Sequence, residues 1–524
     1  MCIRDRGKVS VRDGITETHD TGTEANVDFL YEHYIGGSRT FIAASNSELF
    51  DLTSMTNRDS TTDGTTANHL IEAGVDFAAA GVTTDSYVIN DTDGTYASVT
   101  AVAVGDLTLD ADIMVSGEDY RVTTPLATGL NSDTWDAVAF DGDLMLVNDN
   151  ASDPIYSWDG STLTNETANY TGIADAKVWS GVAEFKERLF FWTGRDQDFW
   201  YMDAAKAKTG AVNQFSLSRV NQFGGVLIDA HPWTVDGGEG MDDYMVFLMS
   251  SGEVVVYQGV DPGNAVEWGL VGIFKVAEPM GGVRAMANVG GDLHLICRAD
   301  IIPMSVIFQQ GYTGTNSKIS GAIRFQSASF ASSYGWAIHL HPEGNMLIIN
   351  HPISGGHNQY VMNTVTGAWA RFVGLNARCW GVYNSLMHMG GTDGRVHKLD
   401  GESDNGTAIT CNVVQAWTDL GNPHEKHPTL AKPIMSGTGA FNYEYKVGFD
   451  FVTAIPDSAT EVASTGTAWG SPWGSPWSAS TNVSTEWRGS SGKGQFINIS
   501  MNLAALQAIS WLRTDLRGNL TTNL

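Results

Sequence analysis

Basic residues are scarce in this 524-residue chain: 30 Lys and Arg stand against 59 Asp and Glu, a formal charge of −29 at pH 7. A protein that grips nucleic acid by neutralising phosphates needs many cationic contacts, so that class is excluded. Cysteine is scarce too. Cys2, Cys297, Cys379 and Cys411 lie far apart with no CxxC pair, which points away from a zinc site or a disulfide framework and predicts reduced, mostly buried thiols. No apolar run reaches the roughly 18 to 20 residues that cross a bilayer as a helix, and the start of the chain has no apolar signal-like core. Helix-forming runs are few, and the best of them, residues 202–208, makes about two turns, too short to organise a domain.

What is present suits strands. The chain has 58 Gly against 14 Pro, and Thr, Ser, Asn and Asp recur at short intervals, which is the turn chemistry that many short strands require. Hydrophobic residues make up 42% and aromatics 10%, with 16 Trp, too apolar for a disordered chain and ample for a core.

The main pattern is a repeated pair of strands: an apolar inner strand, a Gly/Asn/Asp/Ser turn, then a strand with an aliphatic-aromatic pair. Seven such units are recognised, beginning near residues 40, 143, 188, 244, 292, 345 and 386. With Leu144, Leu189, Met245, Leu293, Met346 and Leu386 taken as equivalent, the intervals run from 40 to 56 residues, around the blade lengths of propeller repeats at about 40 to 50. The expected fold is therefore all-β: a β-propeller of about six to seven blades, with ordinary β-sandwiches as the competing reading.

One gap between repeats, from Ile42 to Leu144, is too long by about one small module. Residues 69–122 fill it with a different texture, strands at 86–89, 97–102 and 106–109 and a hairpin turn at Thr92-Asp93-Gly94, and read as an inserted small β-barrel-like domain. The propeller then starts in residues 7–68 and its remaining blades occupy 123–401. Residues 402–524 lose the rhythm and show longer alternating segments, 443–451 and 494–501, expected of a C-terminal antiparallel β-sandwich-like region. Residues 1–6 do not match the rest of the chain and read as a non-native scar on a truncated start.

Catalytic signatures are missing where they would be looked for. Residues 488–493 have the wrong spacing for a phosphate-binding loop, and neither a G-x-S-x-G elbow nor an H-E-x-x-H pair occurs. A single loose copy of a sialidase-like turn at residues 157–163 carries no weight. The acidic stretch with Asp236, Glu239, Asp242 and Asp243 offers oxygen ligands that calcium would accept, but its spacing fits no EF-hand and a solvated connecting loop is the preferred reading. His339, His341, His351 and His357 cluster in one repeat; alternation puts the first two on one face, and surface histidines are preferred over metal ligands. Trp469, Trp473 and Trp477 in a Gly/Ser/Pro loop are interface candidates, because Trp concentrates at binding hot spots, with a loop folded back on its own domain as the alternative. The expectation is a non-enzyme with no catalytic residues and no cofactor.

Five segments carry a likeness to known proteins: Phe29-Leu30-Tyr31-Glu32-His33-Tyr34, Gly252-Glu253-Val254-Val255-Val256-Tyr257-Gln258-Gly259-Val260-Asp261-Pro262, Trp268-Gly269-Leu270-Val271-Gly272, residues 345–350 and residues 359–369. Through them nearly the whole chain, from about Thr21 to Leu512, resembles a family of structural proteins in short-tailed bacteriophages: tail hub, nozzle or packaged-DNA stabilisation proteins. The insert is similar to a small β module recurrent in phage structural genes, through Gly81-Val82, residues 90–94 and residues 117–120. The resemblance implies a virion tail component, made in the host cytoplasm. It implies a homo-oligomeric ring, a hexamer, around a channel for genomic DNA, which passes as cargo, with portal, adaptor or other tail proteins as partners. Such relatives carry more chain upstream. The alternatives are a receptor- or carbohydrate-binding, even depolymerising, tail propeller and a secreted bacterial adhesion module.

Overall fold

The computed structural model describes residues 2–5, 8–53, 60–236, 241–280, 284–298, 300–310, 321, 323, 335–437, 442–456, 461–462, 482–484 and 487–521. Its contacts divide the chain into two units, Thr18–Gln359 with Gly374–His397, and Met1–Glu17 with Tyr360–Val373 and Lys398–Leu524.

The larger unit is a β-propeller. Its sheets follow one another along the chain and are built mostly from antiparallel neighbours in sequence order, such as Asp136–Phe140, Asp143–Val147, Tyr156–Trp158 and Leu163–Asn165. Seven such sheets occur among the described residues. The reason the sequence builds them lies in the period of two along a strand. In the second sheet Leu144 and Leu146 pack with Phe29 and Ile42 of the first, while Met145 and Val147 pack with Leu189 and Phe191 of the third. Phe190 and Trp192 of the third meet Met245 and Phe247 of the fourth, and Val246 and Leu248 of the fourth meet Leu293 and Leu295 of the fifth. Each central strand is thus apolar on both faces, which is why it reads as a continuous run.

Leu144, Leu189, Met245 and Leu293 all face the preceding sheet, so they do hold equivalent places; in the first sheet that place belongs to Phe41 or Ala43, not Ile42. The strands read from the sequence as innermost are second in their sheets. The innermost strands come just before them and are shorter on large apolar residues, as in Asp136–Phe140 and Gly181–Phe185. Residues 202–208 form the end of a strand and a turn; the one α-helix among the described residues is Met304–Gln310.

An early strand closes the ring. Thr16–Asp20 is the outer member of the seventh sheet, beside Arg395–Lys398, and Thr18 Oγ1 donates to the Val396 carbonyl at 3.2 Å while the Thr21 N–H donates to Gly394 at 3.0 Å. Leu30, Phe41 and Phe50 of the first sheet pack with Cys379 and Val396 of the seventh.

The insert is a five-stranded sheet, Ser60–Thr61, Asp119–Thr123, Tyr87–Asn90, Thr95–Leu109 and His69–Asp76 in order, with its own core around Leu70, Val88, Leu107 and Tyr120. The turn at Asp93-Gly94 is present, with Gly94 at φ +67° and its N–H on the Asn90 carbonyl at 2.8 Å. Strands expected at 97–102 and 106–109 are one strand, its register shifted at Gly105.

The smaller unit is a sandwich. One sheet contains Lys8–Val11, Ile509–Thr521 and Glu425–Gly437, the other Ile409–Val414, Ile497–Ala505 and Asn442–Phe449, and Val11, Met435 and Trp511 of the first meet Tyr443, Met501 and Leu503 of the second. Cys2–Asp5 pairs antiparallel with Lys8–Val11. Cys297 and Cys379 are buried thiols outside any disulfide, whereas Cys411 is disulfide-bonded, so the expectation of reduced thiols throughout fails there.

Buried Asp20 ties insert to closure: its carboxylate accepts from Tyr96 Oη of the insert at 2.9 Å, from Arg395 Nε at 3.4 Å and from the Gly22 N–H at 2.8 Å. Asp20→Ala leaves Arg395 and Tyr96 without this partner and is expected to cost about 3 kcal/mol. Urea unfolding followed by tryptophan fluorescence checks this, and a midpoint unchanged from wild type would refute it.

Candidate functional site in the central cavity

The innermost strands of the seven sheets surround a cavity of about 590 Å³. Each sheet contributes: Phe29 and Tyr31 from the first, Asp136 and Val138 from the second, Glu184 from the third, His231 from the fourth, Met286 from the fifth, His339 from the sixth and Trp380 from the seventh.

Asp136 on the cavity wall and Asp229 buried beside His231 are each bound to a neighbouring blade. Asp136 Oδ2 accepts the Val182 N–H of the third sheet at 2.8 Å, and Oδ1 accepts the Ala137 N–H at 3.0 Å. Asp229 repeats the motif two blades on, with Oδ2 on the Met286 N–H at 3.0 Å and Oδ1 on the Ala230 N–H at 2.9 Å. At the first boundary Asp28 instead takes Arg378 Nε of the seventh sheet at 2.6 Å.

Arg284 stands just before the innermost strand of the fifth sheet and reaches across the cavity. Its Nη2 donates to the Trp135 carbonyl at 3.1 Å, at the start of the second sheet, and its guanidinium lies 5.8 Å from the Phe29 ring centroid. No carboxylate among the described residues forms an ion pair with it.

Burial sets the protonation of the cavity. It pushes Asp136 up to about 6 against the opposing pull of the Val182 N–H and the Arg284 charge, and raises Asp229 well above the carboxylate range, helped by the negative charge of Asp136. Burial lowers His231 to about 4 and, with the charge of Arg284, His339 to about 3, so both imidazoles are neutral at pH 7. His231 keeps about a third of its side-chain surface open, but to the walled cavity.

Of the candidate site residues singled out from the sequence, His339 is the one among the described residues that lines the cavity. Asp242 and Asp243 are consecutive on the strand Met241–Met249, hence on opposite faces; Asp242 accepts from Gln258 at 3.2 Å, and Asp243 binds Lys186 and Thr234. Glu239 and the Asp236 side chain fall outside the described residues, as do Trp469, Trp473 and Trp477. Among the described residues no group of three or more His, Cys, Asp or Glu is placed to hold a metal ion. His341 and His351 are buried, the latter stacked on Trp336 at 5.1 Å, so the expectation of surface histidines is corrected. Arg284 has no signal in the sequence: a lone basic residue acquires meaning only when the ring brings Trp135 and Phe29 to it.

No family model matches the chain, and no curated protein matches it. Among solved structures it is similar to the WD40 β-propeller domain of Doa1, at 12% identity over 74% of this chain and 96% of that one, with a TM-score of 0.36. It is also similar to a candidate 6-phosphogluconolactonase from Bacteroides uniformis, at 13% identity over 58% of this chain and 88% of that one, with a TM-score of 0.32. Likeness this distant carries no functional argument, and the propeller assignment rests on the sheet order and the shared cavity.

Asp136 has a pH signature with a definite sign. Folded, it keeps its proton to about 6; unfolded, it loses it near 3.8. Between those values the folded state binds more protons, so stability falls as pH rises from about 4 to about 6, by up to ~3 kcal/mol. Asp136→Asn removes this titration. Urea unfolding at stepped pH is expected to show the variant gaining on wild type across that window; parallel curves would refute the assignment.

Proposed function

We propose that the chain is a structural protein of a short-tailed bacteriophage tail, a head-to-tail hub or nozzle subunit that assembles with its own copies into a ring through which the genome passes. The observation that carries the reading is the use made of charge at the propeller centre: Asp28, Asp136 and Asp229 each bond across a blade boundary, to Arg378, Val182 and Met286. Those carboxyls hold a ring together, which is what a scaffold asks of them. The resemblance in residues 29–34, 252–262, 345–350 and 359–369 supplies the tail context.

In this reading DNA does not thread the propeller. A cavity of about 590 Å³ is the size of a small-molecule site, and the major groove of duplex DNA alone is about 12 Å wide and 8.5 Å deep. The conduit is the space enclosed by several copies, and the surplus of acid, 59 residues against 30 basic, keeps a polyanion from adhering to its wall. Portal and adaptor proteins are the partners this position requires.

Light scattering at several concentrations, with and without a portal complex, tests the proposal. A closed oligomer of about six copies, alone or on the portal, is the expected result. A monomer that ignores the portal but binds or cleaves a surface polysaccharide would replace this reading with a receptor-binding propeller.

A further inference from the structure

We infer that the cavity inside the propeller is a binding site for one small organic oxyanion, a carboxylate or a phosphate ester, with Arg284 as its anchor. The inference is independent of the tail reading, since it concerns a single copy of the ring.

Arg284 is the first ground. A guanidinium carries five N–H donors and keeps its charge at any working pH. Here one hydrogen bond is made, to the Trp135 carbonyl, and no ion pair with any described carboxylate. Half-buried among the innermost strands, the guanidinium keeps donors that no described residue uses, and its planar fork suits two oxygens of one anion.

The remaining lining is the second ground, because it shapes a body behind the charged head. Phe29, Ile338, Trp380 and Val382 supply apolar wall. His339 Nε2 is buried with no hydrogen-bond partner among the described residues, and His231 lies on the same cavity wall. Two neutral imidazoles can each donate or accept, which fits hydroxyl or carbonyl groups next to the anionic head.

The other ionisable groups around the cavity are engaged. In the first sheet Glu32 is paired with Arg39, and Asp28 with Arg378 of the seventh. In the third, Glu184 accepts the Glu187 N–H, and in the fourth Asp229 accepts two N–H groups. Burial pushes the Cys379 thiol of the seventh sheet up to about 12, so it stays neutral. Asp136 of the second sheet is the one group that titrates near 6 and is coupled to Arg284. Protonating it removes a negative charge from the site, so the anion binds more tightly below that pH than above it.

Calorimetric titration of the full chain with benzoate, glycerol 3-phosphate and inorganic phosphate, at pH 5.5 and pH 8, tests this. The expected result is one site per chain for benzoate or for a phosphate, several-fold tighter at pH 5.5, and at least ten-fold weaker in Arg284→Gln. Which probe binds separates carboxylate from phosphate. Ala287→Phe, which fills the cavity without altering the guanidinium, is expected to abolish binding too, and it decides the matter if Arg284→Gln fails to fold. No binding of any probe at millimolar concentration, or binding that survives either folded variant, overturns the inference.

Discussion

The closing contact between the first and seventh sheets is the constraint on which the propeller depends. A sheet whose central strand is apolar on both faces has no stable solitary form, so every blade needs two neighbours and an open ring would leave two faces in water. Bringing Asp20 and Arg395 together closes 375 residues of chain, an entropic cost of about 5 kcal/mol beyond a constant on the logarithmic law. Burying Val27, Leu30, Phe41, Phe50 and Val396 at that boundary, at roughly 1.5 to 3 kcal/mol for each large side chain, exceeds it. Closure is therefore driven by packing, while the strand hydrogen bonds from Thr18 and Thr21 fix which register is closed.

Polar groups then specify the neighbours that packing alone would leave interchangeable. Trp158 donates from the second sheet to Thr40 of the first at 3.2 Å, Trp192 from the third to Ile228 at the fourth at 3.1 Å, and Trp233 from the fourth to Asp292 of the fifth at 3.0 Å. Each indole contributes buried area together with one directional bond that is costly to leave unmade. The high tryptophan content thus serves largely the contacts between blades; Trp135, Trp158, Trp179, Trp192, Trp336 and Trp380 are among the largest fully buried side chains. The insert joins the same logic at the point of closure, through Tyr96 and Asp20.

The parts of this fold legible in the sequence are those governed by period and turn chemistry. Leu144-Met145-Leu146 and Met245-Val246-Phe247-Leu248 announce two-sided burial, and Asp93-Gly94 announces a turn. The innermost strands stay hidden because one of their sides faces a cavity: Asp136-Ala137-Val138-Ala139 lacks the large residues that packing demands elsewhere. His351 reads as a surface residue for a related reason. Its burial is provided by Trp336, fifteen residues earlier, and no local pattern states that the ring of one will lie 5.1 Å from the other. The site itself is the least legible part, since Arg284 gains its role from residues on opposite sides of a ring.

The acid surplus sharpens what Arg284 means. Many of the chain's basic residues are already committed: Arg39 to Glu32, Arg121 to Asp91, Lys186 to Asp243, Lys208 to Asp143, Arg378 to Asp28 and Arg395 to Asp20. Apart from buried Asp20, these pairs are partly exposed and contribute little stability each, but they remove cations from the surface and leave uncompensated acid facing solvent. Against that background a guanidinium lining the ring's cavity with no carboxylate partner among the described residues runs opposite to the charge balance of the whole molecule. Asp136, a cavity carboxyl that feels its charge, is turned instead toward the Val182 and Ala137 N–H groups. The structure therefore keeps one guanidinium at its centre with no ion pair among the described residues, balanced only at a distance by Asp136 when that carboxyl is ionised, while its acidic exterior repels the anions that are too large to enter.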